Sequence, residues 1–139
     1  MRSVENILAE TDWLVKKFGI EDIHFVDDNV TVNKERFMRL AAGLKERAIS
    51  WGIVNTSCFT TDEEMMIAMQ DSGCINICIS VESAVKKTLK RLKKPVDLEW
   101  TKEMVKMARK HIPRHSCMNT FTPIIILKGL VSIASLQSG

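Results

Sequence analysis

Apolar residues recur at helical spacing over residues 3–18, where they form one stripe along the predicted helix. Ser3 can cap the first turn and Gly19 can end the last one. The members of the stripe are Val4, Ile7, Leu8, Thr11, Leu14, Val15 and Phe18. This pattern predicts that the chain opens with an amphipathic helix packed on a core.

Three short apolar runs follow, and each is typical of a strand buried on both faces. They are "DIHFV", "ISWGIV" and "CINICISV", beginning near residues 22, 49 and 74. The runs are separated by helical patterns of the length that one strand-plus-helix unit requires. The sheet is therefore predicted to be parallel, and both a (β/α) barrel and an open doubly wound sheet fit the pattern.

The helices between and after these strands carry recognisable start and stop signals. Asn33 is predicted to cap a helix whose inward residues are Phe37, Leu40, Ala41 and Leu44. Thr61 and Glu64 are predicted to form a capping box, and Gly73 to close that helix. Ser83 and Asp97 are predicted to begin two further helices.

The first helix has no strand before it, although each helix of such a fold follows a strand. We therefore expect the chain to be a piece of a larger fold, with its strands and their helices in residues 1–112. Residues 113–139 form a divergent tail of uncertain fold in this interpretation. Its apolar stretch has room for one more strand, but Pro123 interrupts the stretch.

Composition narrows the function classes without selecting one. The 139 residues are 45% hydrophobic and carry a formal net charge of +3 without a polybasic block, a pattern that does not favour nucleic acid as a partner. No stretch has the length of a membrane span, and the N-terminus lacks the apolar segment of a signal peptide. The expected location is the cytoplasm.

Polar residues follow the ends of two predicted strands. Asp27, Asp28 and Asn29 end the first strand of the chain, while Ser80, Glu82 and Ser83 end the third. In parallel α/β folds the carboxyl ends of the strands meet at one edge, where binding residues gather. These oxygens suit an ammonium, ribose hydroxyls or a cation. The alternative is that they only cap turns and helix N-termini.

The four cysteines do not form a recognisable metal motif. Cys74 and Cys78 have the C-x3-C spacing that opens an iron-sulfur pattern, but Val81 stands where the third cysteine is needed. Along one strand their sulfurs would also lie about 13 Å apart. We interpret them as buried thiols, and we predict no metal ligands and no catalytic residue in this chain.

The ordered set of motifs resembles the core domain of radical S-adenosylmethionine (SAM) enzymes, especially members joined to a cobalamin-binding domain. The resemblance rests on "RSVENILAETDWLVKKFGIEDIHFVDDNVTVNKERF", "TDEEMMIAMQDSGC" and "CINICISVESAVKKTLKRLKK", and covers about residues 2–112. It implies a partial (β/α) barrel, of which residues 1–112 would hold strands two to four with their helices. It also implies a parent enzyme in which a [4Fe-4S] cluster, held by three cysteines, cleaves SAM to a 5′-deoxyadenosyl radical, with cobalamin as a further candidate cofactor.

The resemblance also assigns roles to the polar residues. The run Asp27, Asp28 and Asn29 corresponds to the position where the family contacts the methionine amino group of SAM. Glu82 and Ser83, with Ser80 nearby, correspond to the position that contacts the ribose and carboxylate. The acidic pair is thereby expected to form part of a SAM cradle.

Several departures from the family pattern limit what this chain is expected to do alone. The three-cysteine motif belongs upstream of residue 2. Ser57 and Cys58 stand where relatives carry an arginine, Ala84 stands where a glycine is common, and a fifth strand is not recognisable in "MNTFTPIIILKG". We expect a truncated segment without enzymatic activity or a stably bound cofactor of its own, which self-associates through exposed strand edges.

Two other interpretations stay open. "FVDDN" is also close to the acidic signature of a response-regulator receiver domain, which would make the chain a signalling module that holds Mg²⁺. A receiver, however, has its acidic pair after the first strand with no helix before it, and needs a phosphoacceptor aspartate after the third. The other interpretation is a catalytically dead segment without a ligand.

Overall fold

The computed structural model describes residues 2–27, 29–80, 86–91, 97–112 and 116–119. Helices and strands alternate through the described residues, as the spacing of the apolar runs predicted. In chain order they are α1 (Val4–Phe18), β1 (Asp22–Phe25), α2 (Lys34–Arg47), β2 (Ser50–Thr56), a 3-10 turn (Cys58–Thr60), α3 (Glu63–Asp71), β3 (Cys74–Ser80), α4 (Lys86–Arg91), α5 (Leu98–His111) and β4 (Ser116–Asn119).

The four strands form one parallel sheet in the order β1-β2-β3-β4. Parallel crossovers are almost always right-handed, so a sequential strand order places successive helices on the same face of the sheet. In agreement, α1 contacts α2, α2 contacts α3, and α3 contacts α5. This one-sided layer is the arrangement of a partial (β/α) barrel, which confirms the predicted fold class. A receiver-like or doubly wound sheet would instead reverse its strand order and carry helices on both faces.

The core lies between the sheet and the helix layer. The Trp51 ring on β2 is fully buried and meets Phe25 of β1 and Phe37 of α2, with ring centroids 5.8 and 6.2 Å apart. Its indole N–H donates to the carbonyl of Ser72 at 2.9 Å, so its one polar atom is satisfied. Phe37, Leu40, Ala41 and Leu44 of α2 are buried, as their spacing predicted.

The apolar stripe of α1 is only partly buried, and this corrects the prediction. Val4 and Thr11 are buried, whereas Val15 and Phe18 are 39% and 60% exposed. Helix α1 rests on α2, where the side chain of Leu8 occupies the space above Gly43. The last turn of α1 extends past this contact, and there Phe18 meets Trp13 edge to face.

The helix caps follow the sequence signals with one exception. Ser3, Asn33 and Asp97 cap α1, α2 and α5 as predicted, and Gly19 and Gly73 adopt positive φ after their helices. The N-cap of α3 is Asp62 rather than Thr61, because the Asp62 carboxylate accepts the Met65 N–H at 2.9 Å. The predicted capping box is therefore wrong. The predicted cap at Ser83 lies outside the described residues.

Strand β4 lies within the segment predicted as a divergent tail, and it pairs in parallel with β3 from Ile77 to Ser80. The structure thus places a fourth strand at Ser116–Asn119. The domain boundary at residue 112 stays a prediction. Among the described residues, none of the helices has both the length and the apolar character needed to cross a bilayer.

Candidate functional site at the carboxyl edge of the sheet

The carboxyl ends of β1, β2 and β3 meet at one edge of the sheet, and polar side chains follow each of them. Asp27 comes two residues after the end of β1 and is exposed. Its carboxylate accepts a weak hydrogen bond from the Asn29 N–H at 3.4 Å, which forms a local turn. The same carboxylate lines a cavity of about 350 Å³ between α1 and β1. Asp27 is therefore available to a ligand from solvent.

Asn29 has a different environment, because its side-chain carbonyl is engaged by the protein. This oxygen accepts from the Thr31 N–H at 3.2 Å, the Thr31 hydroxyl at 2.9 Å and the Thr60 hydroxyl at 3.1 Å. Thr61 adds a hydrogen bond to the Thr31 hydroxyl at 3.1 Å. The network joins the loop after β1 to the turn after β2. Asn29 therefore holds the edge together rather than presenting a free acceptor.

Ser80 ends β3 and is half-buried. Its hydroxyl donates to the side-chain oxygen of Asn55 on β2 at 2.5 Å. Asn55 lies within an irregularity in the pairing of β2 with β3, between Ile53 and Thr56. The hydroxyl of Ser80 is thereby oriented by the neighbouring strand, and its lone pairs are still able to accept a hydrogen bond.

Three of the six predicted site residues, Asp28, Glu82 and Ser83, lie outside the described residues. Of the other three, the structure brings Asp27 and Asn29 together at the end of β1 and places Ser80 at the end of β3. Sequence reasoning missed Asn55, Thr31 and Thr60. A usable signal was present for Thr60, since "SCFTTD" puts hydroxyls directly after an apolar strand.

A charged cluster borders the network on its outer side. The Lys34 ammonium contacts the carboxylates of Asp62 and Glu64, at 2.7 Å and 2.5 Å. The ammonium donates to both carboxylates, and these hydrogen bonds raise the pKa of Lys34, the one to Asp62 having the largest effect. Partial burial pushes the pKa of Asp62 upward, but hydrogen bonds from Lys34 and from the Met65 N–H outweigh it and hold the pKa below its usual value. The cluster thus sets one ammonium against two carboxylates, and it keeps an excess of negative charge.

Three of the cysteines, one in the turn after β2 and two on β3, are buried. Cys58, Cys74 and Cys78 are at most 7% exposed, as predicted for core thiols. Burial raises the pKa of the Cys74 thiol to about 12 and also raises that of Cys58. Among the described residues there is no group of three or more His, Cys, Asp or Glu side chains arranged to hold a metal ion. The described side chains therefore offer no ligand set for the [4Fe-4S] cluster that the resemblance implies for the parent enzyme.

The chain matches one protein family model and two proteins of 31% and 34% sequence identity. The family model for the radical SAM superfamily matches residues 1–130. A cytidylyl-2-hydroxyethylphosphonate methyltransferase of Streptomyces wedmorensis is 34% identical over 110 residues, which are 78% of this chain and 21% of the relative. An uncharacterized methyltransferase of Pyrococcus horikoshii, PH0819, is 31% identical over 110 residues, 24% of its length. The chain thus spans about a fifth to a quarter of these relatives.

Solved structures with the same fold include two radical SAM proteins. The radical SAM methyltransferase TsrM from Kitasatospora setae, with tryptophan and a SAM analogue bound, superposes with a TM-score of 0.78 at 15% identity. The match covers 98% of this chain and 29% of TsrM. The cobalamin-dependent SAM radical enzyme OxsB gives a TM-score of 0.71 at 18% identity, over 93% of this chain and 22% of OxsB. These likenesses support the partial-barrel fold.

Proposed function

The chain belongs to the radical SAM superfamily, and we propose that it forms part of the SAM-binding edge of such an enzyme's barrel. The observation that carries the proposal is the convergence of Asp27 and Ser80 at the carboxyl edge of one parallel sheet. An exposed carboxylate and an oriented hydroxyl match the ammonium and ribose hydroxyls of SAM. The proposed cradle also includes Asp28, Glu82 and Ser83, which lie outside the described residues.

Each residue of the cradle has a distinct proposed role. Asp27 would accept a hydrogen bond from the methionine ammonium, with its charge unneutralised by any ion pair among the described residues. Ser80 would accept from a ribose hydroxyl while donating to Asn55. Asn29 would act as a positioning residue, because its oxygen fixes the loop that carries Asp27. None of these residues supplies a nucleophile or a general base.

The redox chemistry of the parent enzyme would require groups outside these residues. A [4Fe-4S] cluster supplies the electron that cleaves SAM in this family, and the described cysteines are buried and separate. We propose that the complete enzyme cleaves SAM to a 5′-deoxyadenosyl radical and that this chain contributes ligand contacts only. Methyl transfer is a second candidate for the overall reaction, favoured by the two relatives named as methyltransferases and by the methyltransferase TsrM, which shares the fold.

Ligand titration by NMR tests the SAM cradle directly. Uniformly 15N-labelled chain is titrated with SAM, and the amide shifts are expected to change around Asp27, Asn29 and Ser80. Asp27→Asn and Glu82→Gln are expected to weaken binding about tenfold or more, since charge-assisted hydrogen bonds become neutral ones. Asp71→Asn is the matched control, because this carboxylate ends α3 and pairs with Lys45.

Two outcomes would remove the proposal. Shifts confined to other surfaces would place the ligand elsewhere, and unchanged affinity in both carboxylate variants would exclude those side chains from the site. Thermal melting of each variant separates loss of binding from loss of folding.

A further inference from the structure

The irregular end of β2 moves Asn55 out of the apolar core. Side chains alternate between the two faces of a regular strand, so Asn55 would share the core face with the fully buried Ile53. Instead, β2 advances from Ile53 to Thr56 while β3 advances only from Ile77 to Ile79. The extra residue on β2 is a β-bulge, which locally redirects a side chain. The buried Thr56 takes the next core position, and Asn55 is half-buried.

The hydrogen bond with Ser80 places the Asn55 side chain at the other face of the sheet. Ile77 and Ile79 of β3 belong to the core beneath the helix layer, so alternation turns Ser80 away from that layer. The Ser80 hydroxyl donates to Asn55 Oδ1 at 2.5 Å. In a partial barrel, the face away from the helices is the interior. Asn55 and Ser80 therefore meet at the interior side of the carboxyl edge.

The described residues of the proposed cradle supply acceptors, whereas the methionine end of SAM also carries a carboxylate that requires donors. The ionised carboxylate of Asp27 only accepts hydrogen bonds, and Ser80 directs its single O–H at Asn55. The Asn55 amide nitrogen carries N–H donors, and their direction is fixed because the oxygen of the same planar amide faces Ser80. A hydrogen bond from an amide to a carboxylate is charge-assisted and therefore stronger than a neutral one.

The order of the strands brings Asn55 to the matching part of SAM. The end of β2 lies between the ends of β1 and β3, which carry Asp27 and Ser80. Neighbouring strands are about 4.8 Å apart. In SAM the ammonium and the carboxylate are attached to the same carbon atom, and the ribose lies beyond the sulfonium. A molecule with its ammonium at β1 and its ribose at β3 therefore has its carboxylate within reach of β2.

We propose that Asn55 is a further binding residue of this edge and that its amide N–H donates to the carboxylate of SAM. The inference rests on the proposed function and adds to it a group that recognises an anion. Asn29 carries another amide at the edge, but its oxygen is engaged by Thr60. The cluster around Lys34 borders that network and has an excess of negative charge, which disfavours a carboxylate there.

Decarboxylated SAM, in which a hydrogen replaces the carboxylate, isolates the proposed contact. The 15N-labelled chain is titrated with SAM and with decarboxylated SAM, and both dissociation constants are obtained from backbone amide shifts. Asn55→Asp keeps an oxygen that accepts from Ser80 but replaces the N–H donors by a negative charge. It is expected to weaken SAM binding about tenfold or more. Binding of decarboxylated SAM is expected to be no weaker than in the native chain.

Two matched variants control for the added charge. Asn76→Asp makes the same change at a half-buried position of β3, about 13 Å along the strand from Ser80. Asn29→Asp makes it at the other amide of the edge. Both variants are expected to keep the native preference between the two ligands. Thermal melting of each variant detects loss of folding.

A measurement on the native chain needs no variant to fold. The side-chain NH2 signals of Asn55 are expected to shift with SAM and much less with decarboxylated SAM. Equal weakening of both ligands in Asn55→Asp, a SAM-selective loss in Asn29→Asp instead, or NH2 signals that respond alike to both ligands would each overturn the inference and leave the SAM-binding edge in place. A native chain that binds neither ligand would overturn the inference and the proposed function together.

Discussion

The Ser80 hydroxyl lies 2.5 Å from the side-chain oxygen of Asn55, and this hydrogen bond joins the carboxyl ends of β2 and β3. It fixes one polar group of the candidate site from a neighbouring strand. The pair is therefore suited to a double-mutant cycle.

Ser80→Ala is expected to lower the free energy of unfolding by about 1 kcal/mol, the typical net value of one hydrogen bond. Asn55→Ala is expected to cost at least as much, since it leaves the half-buried Ser80 hydroxyl without this acceptor. The coupling energy from urea denaturation of both single variants and the double variant should be about 1 kcal/mol. Strict additivity would show that the hydrogen bond does not contribute to stability.

Two substitutions of Asn29 test whether its side-chain oxygen stabilises the protein as a hydrogen-bond acceptor. Asn29→Ala leaves two hydroxyls, those of Thr31 and Thr60, without this acceptor. We therefore expect it to lower the free energy of unfolding by about 1 to 3 kcal/mol. Asn29→Asp keeps the accepting oxygen and is expected to be much closer to the native stability. Chemical denaturation of the two variants measures the difference. Equal losses would contradict the assignment of the acceptor.

Asp62 caps α3 and also pairs with Lys34. Asp62→Ala is expected to lower the free energy of unfolding by about 1 kcal/mol. Asn is also a good N-cap, so Asp62→Asn is expected to lower it by only about 0.3 kcal/mol. Thermal melts of both variants, with Thr61→Ser as the control for the rejected capping box, test the assignment. Equal losses in the two variants would indicate that the ion pair with Lys34, which both remove, matters more than the cap.

Glu63 predicts a pH dependence of stability. Hydrogen bonds from Lys110 first and His111 second lower the pKa of Glu63 from its ordinary value of 4.5. A carboxyl with a lowered folded-state pKa stabilises the protein fully above its unfolded pKa, and this contribution is lost as the pH falls through the folded value. Near pH 7 the native chain is thus expected to have a larger free energy of unfolding than Glu63→Gln. This difference should shrink as the pH falls below about 4.5. Urea midpoints across this range measure it, with Asp71→Asn as control.

The buried thiols predict low reactivity and no iron-sulfur centre. With a pKa of about 12, Cys74 is almost entirely protonated at neutral pH, so its alkylation in the native chain should be much slower than in urea. Anaerobic incubation with iron and sulfide is expected to leave the chain without a stoichiometric [4Fe-4S] cluster. A clean cluster signal in electron paramagnetic resonance after reduction would contradict this interpretation of the cysteines.

The sequence alone determined the alternation of helices and strands and most of the caps. Local chemistry governs these features: Ser3, Asn33 and Asp97 each accept a backbone N–H two or three residues later in the chain, so the sequence signal and the contact coincide. The inward face of α2 was also predictable, because its apolar spacing follows the helical period. The N-cap of α3 is Asp62 and not Thr61, because the Thr61 hydroxyl bonds the Thr31 hydroxyl and the Ser57 carbonyl, which are both outside α3.

Only the tertiary structure decided how the elements are arranged and which polar residues are available. Barrel and doubly wound folds share the same local pattern, so their difference appears only in the strand order, which is set by long-range pairing. Val15 and Phe18 fit the α1 stripe yet stay exposed, because burial depends on what α1 packs against. Likewise, Asp27 and Asn29 are two residues apart and look alike in the sequence, but of these two only Asn29 is bound by the distant Thr60 hydroxyl. Contacts between residues far apart in the chain therefore decide which polar side chain is held by the protein and which stays exposed to solvent.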